Sequence, residues 1–330
     1  MAADKPLTLR RQKGRSTTRA RQSSESFQVD VLVDTGVFHL EQPFSYFLPE
    51  ELEGLIGAGS LIRVPFKNDL KDGVVLSIKE KSQASLKPVH SLLTQVRLSQ
   101  SFLEFTKKVS ERYIANQASI LSACLPSFTK VMNTSLDAST LHRSKSSKPA
   151  RKLFLLNRLE AVESRVVRHI KERKGLNLLV ILPTQREIEG VIKALGVIDQ
   201  QIIEIGSHLT SSQRRRNFEL AATATSIIVI GTRSAIMAPM AYIDEILIAE
   251  ESVEHFQEQK APYWNVRDMA LLRSESEHCS ITFVSHSISL ELARLVEIGW
   301  ITVTLERKFL GGHRANIATE PNSYHDTIRK

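Results

Sequence analysis

Two adjacent acids, Glu250 and Glu251, follow an apolar run, Ile246-Leu247-Ile248-Ala249. ATP-driven motors end such a strand in an aspartate that holds Mg²⁺, followed by a glutamate that aligns the attacking water. Ala249 stands where that aspartate would be, and a methyl group offers no oxygen to a magnesium ion. Glu250 keeps the water-aligning position. Successive strand residues point to opposite faces, so Glu250 and Glu251 are not expected to form an acid/base dyad. His286, in the run "VSHS", has no acid beside it in sequence and is expected to be a loop residue rather than a catalytic base. Cys124 and Cys279 are the only cysteines, which excludes a disulfide framework and a multi-cysteine zinc site.

The elements that would carry these residues read as α/β. Between 153 and 305, apolar strands alternate with amphipathic helices. The strands are expected at 176–182, 201–205, 226–230, 245–249, 280–284 and 300–305. The helices are expected near 158–173, 184–195, 210–222, 266–276 and 288–297. Strands continuous in Ile, Val and Leu with crossover helices between them predict a parallel, doubly wound sheet. Ligands of such sheets bind at the carboxyl ends of the strands, here "LPTQ", "IGTRSA", "AEES" and "VSHS". From residue 29 to about 93 the pattern is different. Short β-type runs at 29–33, 44–48, 60–66, 73–78 and 87–93, broken by turn residues, predict a small and mostly antiparallel barrel or sandwich. A helical period then runs from Phe102 through Cys124 and stops at Pro126.

The chain has 330 residues, 42% of them hydrophobic, and a formal net charge of +8. Mean hydropathy is −0.14, and no apolar run approaches a membrane span. Residues 1–26 carry seven Lys/Arg against two acids, and 127–152 carry six against one. Each segment is therefore +5, which leaves the rest of the chain near −2. Both are polar and rich in Ser and Thr, and neither can bury a core. Their charge suits phosphate, and it equally suits solubility alone. The expected organisation is a basic arm at 1–27, a β-rich domain at 28–126, a basic flexible linker at 127–152, an α/β lobe at 153–310 and a tail at 311–330.

Several stretches, in this order, resemble the PriA-type primosomal helicase family of bacterial replication restart. "IVIGTRSAIMAPMAYIDEILIAEESVEHFQEQKAPYWNVRDMALLR" is similar throughout to the family's run from "IGTRSA" through "DEEH" to "RD-A". "VSHSISLE" resembles its "GSATPSLE" turn. "EQPFSYFLPEEL", "IRVPF", "GVVL", "SLKPV" and "ERYIANQASILSACLP" resemble its 3′-end DNA-binding domain. The resemblance implies a RecA-like first helicase lobe behind that domain. It also implies a pocket for a DNA 3′ end, in which Phe44 stacks on a base and Lys87 meets a phosphate or base acceptor. The family's aspartate is Ser45 here and its glycine is Lys67. Thr232 and Arg233, in the "IGTRSA" loop, would face single-stranded nucleic acid, with Arg214, Arg215 and Arg216 on a solvated helix nearby. Arg267 and Asp268 would brace the lobe as an ion pair.

The family uses ATP, Mg²⁺ and structural zinc, and no cofactor is expected here. Residues 152–183 contain no glycine before Gly175, and after Lys152 no lysine before Lys171. The phosphate cradle is therefore missing, and Glu160 and Glu163 stand where a triphosphate would sit. The family's zinc region and second lobe have no counterpart in these 330 residues, and one lobe is not expected to translocate. The resulting expectation is a non-hydrolytic, DNA-binding PriA relative, a pseudo-ATPase with Glu250 as a catalytic remnant. Its partners would be forked, 3′-ended or single-stranded DNA, and primosome or single-strand-binding proteins. No membrane is expected, and the setting would be the cytoplasm at the nucleoid. Two alternatives stay open: a helicase completed by another chain, and a structural interaction protein without a DNA role.

Overall fold

The computed structural model describes residues 27–37, 40, 42–80, 86–128 and 149–305. The basic arm, most of the basic linker and the tail lie outside the described residues, apart from Phe27, 127–128 and 149–152.

Five strands form the N-terminal sheet: β1 (Phe27–Val33), β2 (Phe44–Leu48), β3 (Ser60–Phe66), β4 (Asp69–Glu80) and β5 (Ser91–Arg97). All pairs are antiparallel, in the order β2-β1-β4-β3-β5. The alternation that predicts β2 and β3 places both strands where they are expected. The last strand differs. Residues 87–89 do not join the ladder of β5. They bridge the opposite edge, Phe47 N donating to Lys87 O and Val89 N donating to Phe47 O, each at 2.9 Å. This bridge brings the two edges of the sheet round towards each other, in the manner of a barrel. Val29, Val31, Tyr46, Leu48, Ile62, Val64, Val75 and Val89 fill its interior.

The helical stretch that follows is two helices rather than one: α1 (Gln100–Tyr113) and α2 (Gln117–Cys124). Ile114 takes a left-handed conformation, φ 51°, and Asn116 caps α2 by accepting from Ala118 N at 2.8 Å. A capping side chain starts a new helix where periodicity alone sees continuity.

The second sheet has seven strands, all parallel: β6 (Arg151–Leu155), β7 (Leu178–Ile181), β8 (Gln201–Ile205), β9 (Ile227–Gly231), β10 (Glu245–Ala249), β11 (Ser280–Ser285) and β12 (Thr302–Leu305). Their order is β12-β6-β11-β10-β7-β9-β8. β6 begins at Arg151, inside the stretch expected to be linker, because β11 and β12 pair with it on both sides. Helices α3 (Val162–Glu172) and α4 (Gln185–Leu195) cover one face, where Val166, Ile170, Ile188 and Val191 meet Leu178, Val180 and Leu247. Helices α5 (Ser211–Thr223), α6 (Val266–Ser276) and α7 (Leu290–Glu297) cover the other.

That second face is where the two sheets meet. One apolar cluster runs from Leu32, Leu61 and Leu93 of the small sheet through Phe102, Phe105 and Leu121 of α1 and α2 into Ile246, Ile248, Met269 and Phe283 of the lobe. Each fully buried Phe contributes about 1.5–3 kcal/mol. Arg273 of α6 is fully buried at this seam, its guanidinium 5.3 Å from the Phe102 ring centre and 5.4 Å from that of Phe105. At a second seam, Phe128 packs edge-on against Phe218 of α5, beneath Arg215.

Candidate nucleic-acid interface

On β2 the period of two turns Phe44, Tyr46 and Leu48 towards the barrel interior and Ser45 to the other face. Phe44 is only half-buried and meets Phe66 edge-to-face, ring centres 5.2 Å apart. The ammonium of Lys67 lies 5.8 Å from the Phe66 ring centre. Phe44 and Lys67 thus each approach the Phe66 ring at the end of the β3–β4 hairpin. Lys67 is left-handed, φ 54°, the backbone region that favours glycine, which gives a physical reason for a glycine in this position. Lys87 is exposed, and its carbonyl is held by Phe47, three residues along β2 from Phe44.

Ser45 stands directly across from Asp30 on β1, and Asp30 stands across from Ser77 on β4. The Ser45 hydroxyl donates to Asp30 at 2.8 Å and accepts from Gln28 at 2.9 Å. Asp30 also accepts from Ser77 at 3.1 Å and from Gln28 at 3.2 Å, and pairs with Lys79 at 2.5 Å. Burial alone would raise its pKa. The Lys79 ammonium and the three polar donors outweigh burial and hold it at about 2. The carboxylate absent at 45 is thus present one strand away, ionised and fully hydrogen-bonded. Sequence reasoning passed over Asp30. The available signal was a single acid inside an apolar strand, "VDVLV".

The lobe holds its own candidates differently. Gly231 has no room for a side chain, since a Cβ there would meet Ile205 O at 2.3 Å and Ala235 Cβ at 2.6 Å. This packing accounts for the glycine of "IGTRSA". Thr232 is half-buried. Arg233 spends its fork on the lobe itself: Nη1 donates to His255 O at 3.0 Å and Gln257 O at 2.7 Å, and Nε pairs with Glu258 at 3.2 Å. Of the three arginines of α5, Arg214 and Arg216 are exposed. Arg215 is buried against Glu219 at 3.4 Å and is not part of a solvated face. Arg267 pairs with Asp268 at 3.2 Å as expected, and also with Glu251 and Glu291, each at 3.3 Å.

At the carboxyl ends of β6, β10 and β11 the two acids separate. Glu251 is buried, accepting from Ser289 N at 2.7 Å and pairing with Arg267. Glu250, φ 50°, turns the other way and accepts from Ser285 Oγ at 2.8 Å and from the His286 ring at 2.7 Å. His286 follows β11 in a loop as expected, and its acid partner lies 36 positions away in the chain. Its second ring nitrogen reaches Glu160 O at 2.8 Å, and the Glu160 carboxylate pairs with Arg168 of α3. The loop at 156–161, between β6 and α3, is where the resemblance places a phosphate cradle. It contains no glycine, its Glu160 carbonyl is engaged by His286, and the Ala249 side chain supplies no oxygen. These residues do not fit a magnesium–triphosphate group. No helix among the described residues is long and apolar enough to cross a membrane.

Residues 30–126 match the family model of the PriA 3′DNA-binding domain (3′BD). The probable replication restart protein PriA of Mycobacterium tuberculosis (strain CDC 1551 / Oshkosh) is 23% identical over 297 residues, covering 79% of this chain and 44% of its own length. The replication restart protein PriA of Rickettsia conorii is 24% identical over 304 residues, covering 83% and 46%. The chain thus spans less than half the length of either relative. Among solved structures, the S. cerevisiae Dbp5 C-terminal domain aligns with 48% of the chain and 92% of its own, with a TM-score of 0.36 and 9% identity.

Proposed function

We propose, for a chain that is PriA-type by partial homology over both of its sheets, a DNA-binding role in replication restart that does not involve ATP hydrolysis. Residues 30–126 recognise forked or 3′-ended DNA, and the lobe braces that domain and offers a platform to primosome or single-strand-binding proteins in the cytoplasm. The observation that carries the reading is the match of 30–126 to the 3′ DNA-binding domain, with Phe44, Phe66 and Lys67 gathered on the rim of that unit. Phe44 supplies a stacking face, Lys67 and Lys87 supply cations, and the Ser45–Asp30 pair presents a hydroxyl already oriented by its carboxylate.

Titration of labelled forked DNA tests this. The Phe44→Ala/Lys87→Ala double variant is expected to bind at least ~10-fold more weakly, a lost base stack being worth about 1–3 kcal/mol. Loss of Lys87 is also expected to flatten the salt dependence by about one phosphate contact. Equal affinity of variant and wild type removes the pocket. The non-hydrolytic half of the proposal is supported by Ala249 and by the glycine-free loop at 156–161. Calorimetry with ATP and Mg²⁺ is expected to give no saturable heat. Magnesium-dependent saturation, or turnover on forked DNA abolished by Glu250→Gln, favours instead a helicase completed by another chain.

A further inference from the structure

The groups gathered at the ends of β6, β10 and β11 are arranged for a task of their own. Both ring nitrogens of His286 face acceptors: Nδ1 meets the Glu250 carboxylate at 2.7 Å and Nε2 meets the Glu160 carbonyl at 2.8 Å. A neutral imidazole has one N–H and one lone pair. In either tautomer it would aim the lone pair at an oxygen and lose one of the two bonds. Only the imidazolium, with two N–H groups, satisfies both. The groups that face it agree. Glu250 approaches from the end of β10, with its other oxygen fixed by Ser285 Oγ at 2.8 Å. Glu160 approaches from the 156–161 loop, with its side chain paired to Arg168 on α3. On its own segment the neighbours are Ser285 and Ser287, both uncharged.

We propose that His286 is a proton-operated latch: as imidazolium it ties the 156–161 loop to the end of β10, and its deprotonation releases that loop. Each end of the bridge is held by a different strand connection, so one proton governs the contact between β6–α3 and β10. Partial burial pulls the His286 pKa down, but the bonds to Glu250 and Glu160 and their charge outweigh it, and the net shift is upward. A raised folded-state value means that the contact is fully present below the ordinary histidine value of 6.5 and is lost as pH rises through the higher folded value. This latch does not depend on the DNA-binding proposal, and its test needs no DNA or nucleotide.

Two readouts on the full chain test it. Histidine side-chain NMR gives the His286 midpoint, assigned by the signal missing from His286→Asn. The midpoint is expected above 6.5 in wild type and closer to 6.5 in Glu250→Gln. Trypsin cleavage after Arg158, exposed in the middle of the loop, reports opening. At about pH 6 wild type is expected to be cut several-fold more slowly than His286→Asn, and at about pH 9 at the same rate. A midpoint at or below 6.5, equal midpoints in wild type and Glu250→Gln, or a cleavage ratio that does not change with pH overturns the latch.

Discussion

Replacing Arg273 with methionine is expected to cost about 3–5 kcal/mol of folding stability, the range for removing one partner of a buried ion pair. Among the described residues no other side chain of this size is so completely enclosed, at 0% exposure. Its guanidinium donates to Ile236 O at 2.5 Å and Ala238 O at 2.7 Å, and pairs with Glu277 at 2.8 Å. The variant leaves two carbonyls without those donors and one carboxylate, 3% exposed, without its cation. It also removes the planar cation between Phe102 and Phe105, which join α1 to the lobe. Lysine is not expected to rescue, because a point charge cannot reach two carbonyls and a carboxylate in the guanidinium's fork geometry. Urea denaturation measures the loss. A change below about 1 kcal/mol would mean that the seam is held by apolar packing alone.

The second large effect belongs to Glu245, buried at the start of β10. It accepts from His169 Nε2 at 2.9 Å and from Thr282 Oγ1 at 2.5 Å, and pairs with Arg173 at 2.8 Å. Burial alone would raise its pKa. The His169 bond and charge, with Thr282 and Arg173, outweigh burial and bring it below the ordinary carboxylate value. The sign follows from that direction. A depressed folded-state value stabilises the protein above the unfolded value of 4.5, and the contribution is lost as pH falls through the lower folded value. Glu245→Gln is therefore expected to destabilise by about 1–3 kcal/mol at neutral pH, where it leaves the one-third-exposed Arg173 without its carboxylate and alters the buried His169 and Thr282 hydrogen bonds. The gap to wild type is expected to narrow in acid. Thermal unfolding at a series of pH values measures both. A gap that stays constant into acid would show that Glu245 acts through shape rather than charge.

These two residues sit at joints, and their effects bear on the DNA proposal. The barrel and the lobe share one apolar cluster, so a grip made at Phe44 is mechanically continuous with the lobe's helices. A variant that weakens the seam is expected to loosen DNA binding indirectly. The Phe44→Ala/Lys87→Ala test is cleaner, because neither residue lies in that cluster.

What the sequence determined by itself is local. Alternation over five to seven residues located β2 and β3, because the side-chain period of a strand needs no partner to be visible. The α/β alternation located six of the seven described strands of the lobe and its five helices, but not the start of β6, which lay in the expected linker. The loss of glycine and lysine after β6, and Ala249 after Ile248, are facts of composition. Tertiary structure decided the pairings. It placed Asp30 opposite Ser45, Glu250 opposite His286, and Phe47 against 87–89, which closes the small sheet. It also divided "RRR" into two exposed arginines and one buried against Glu219, and put Arg273 between two phenylalanines from the other unit. The physical reason is common to all of them. Burial and charge pairing depend on which segments meet in space, and apart from Arg215 and Glu219, four residues apart on one helix, the paired groups lie 15 or more residues apart along the chain.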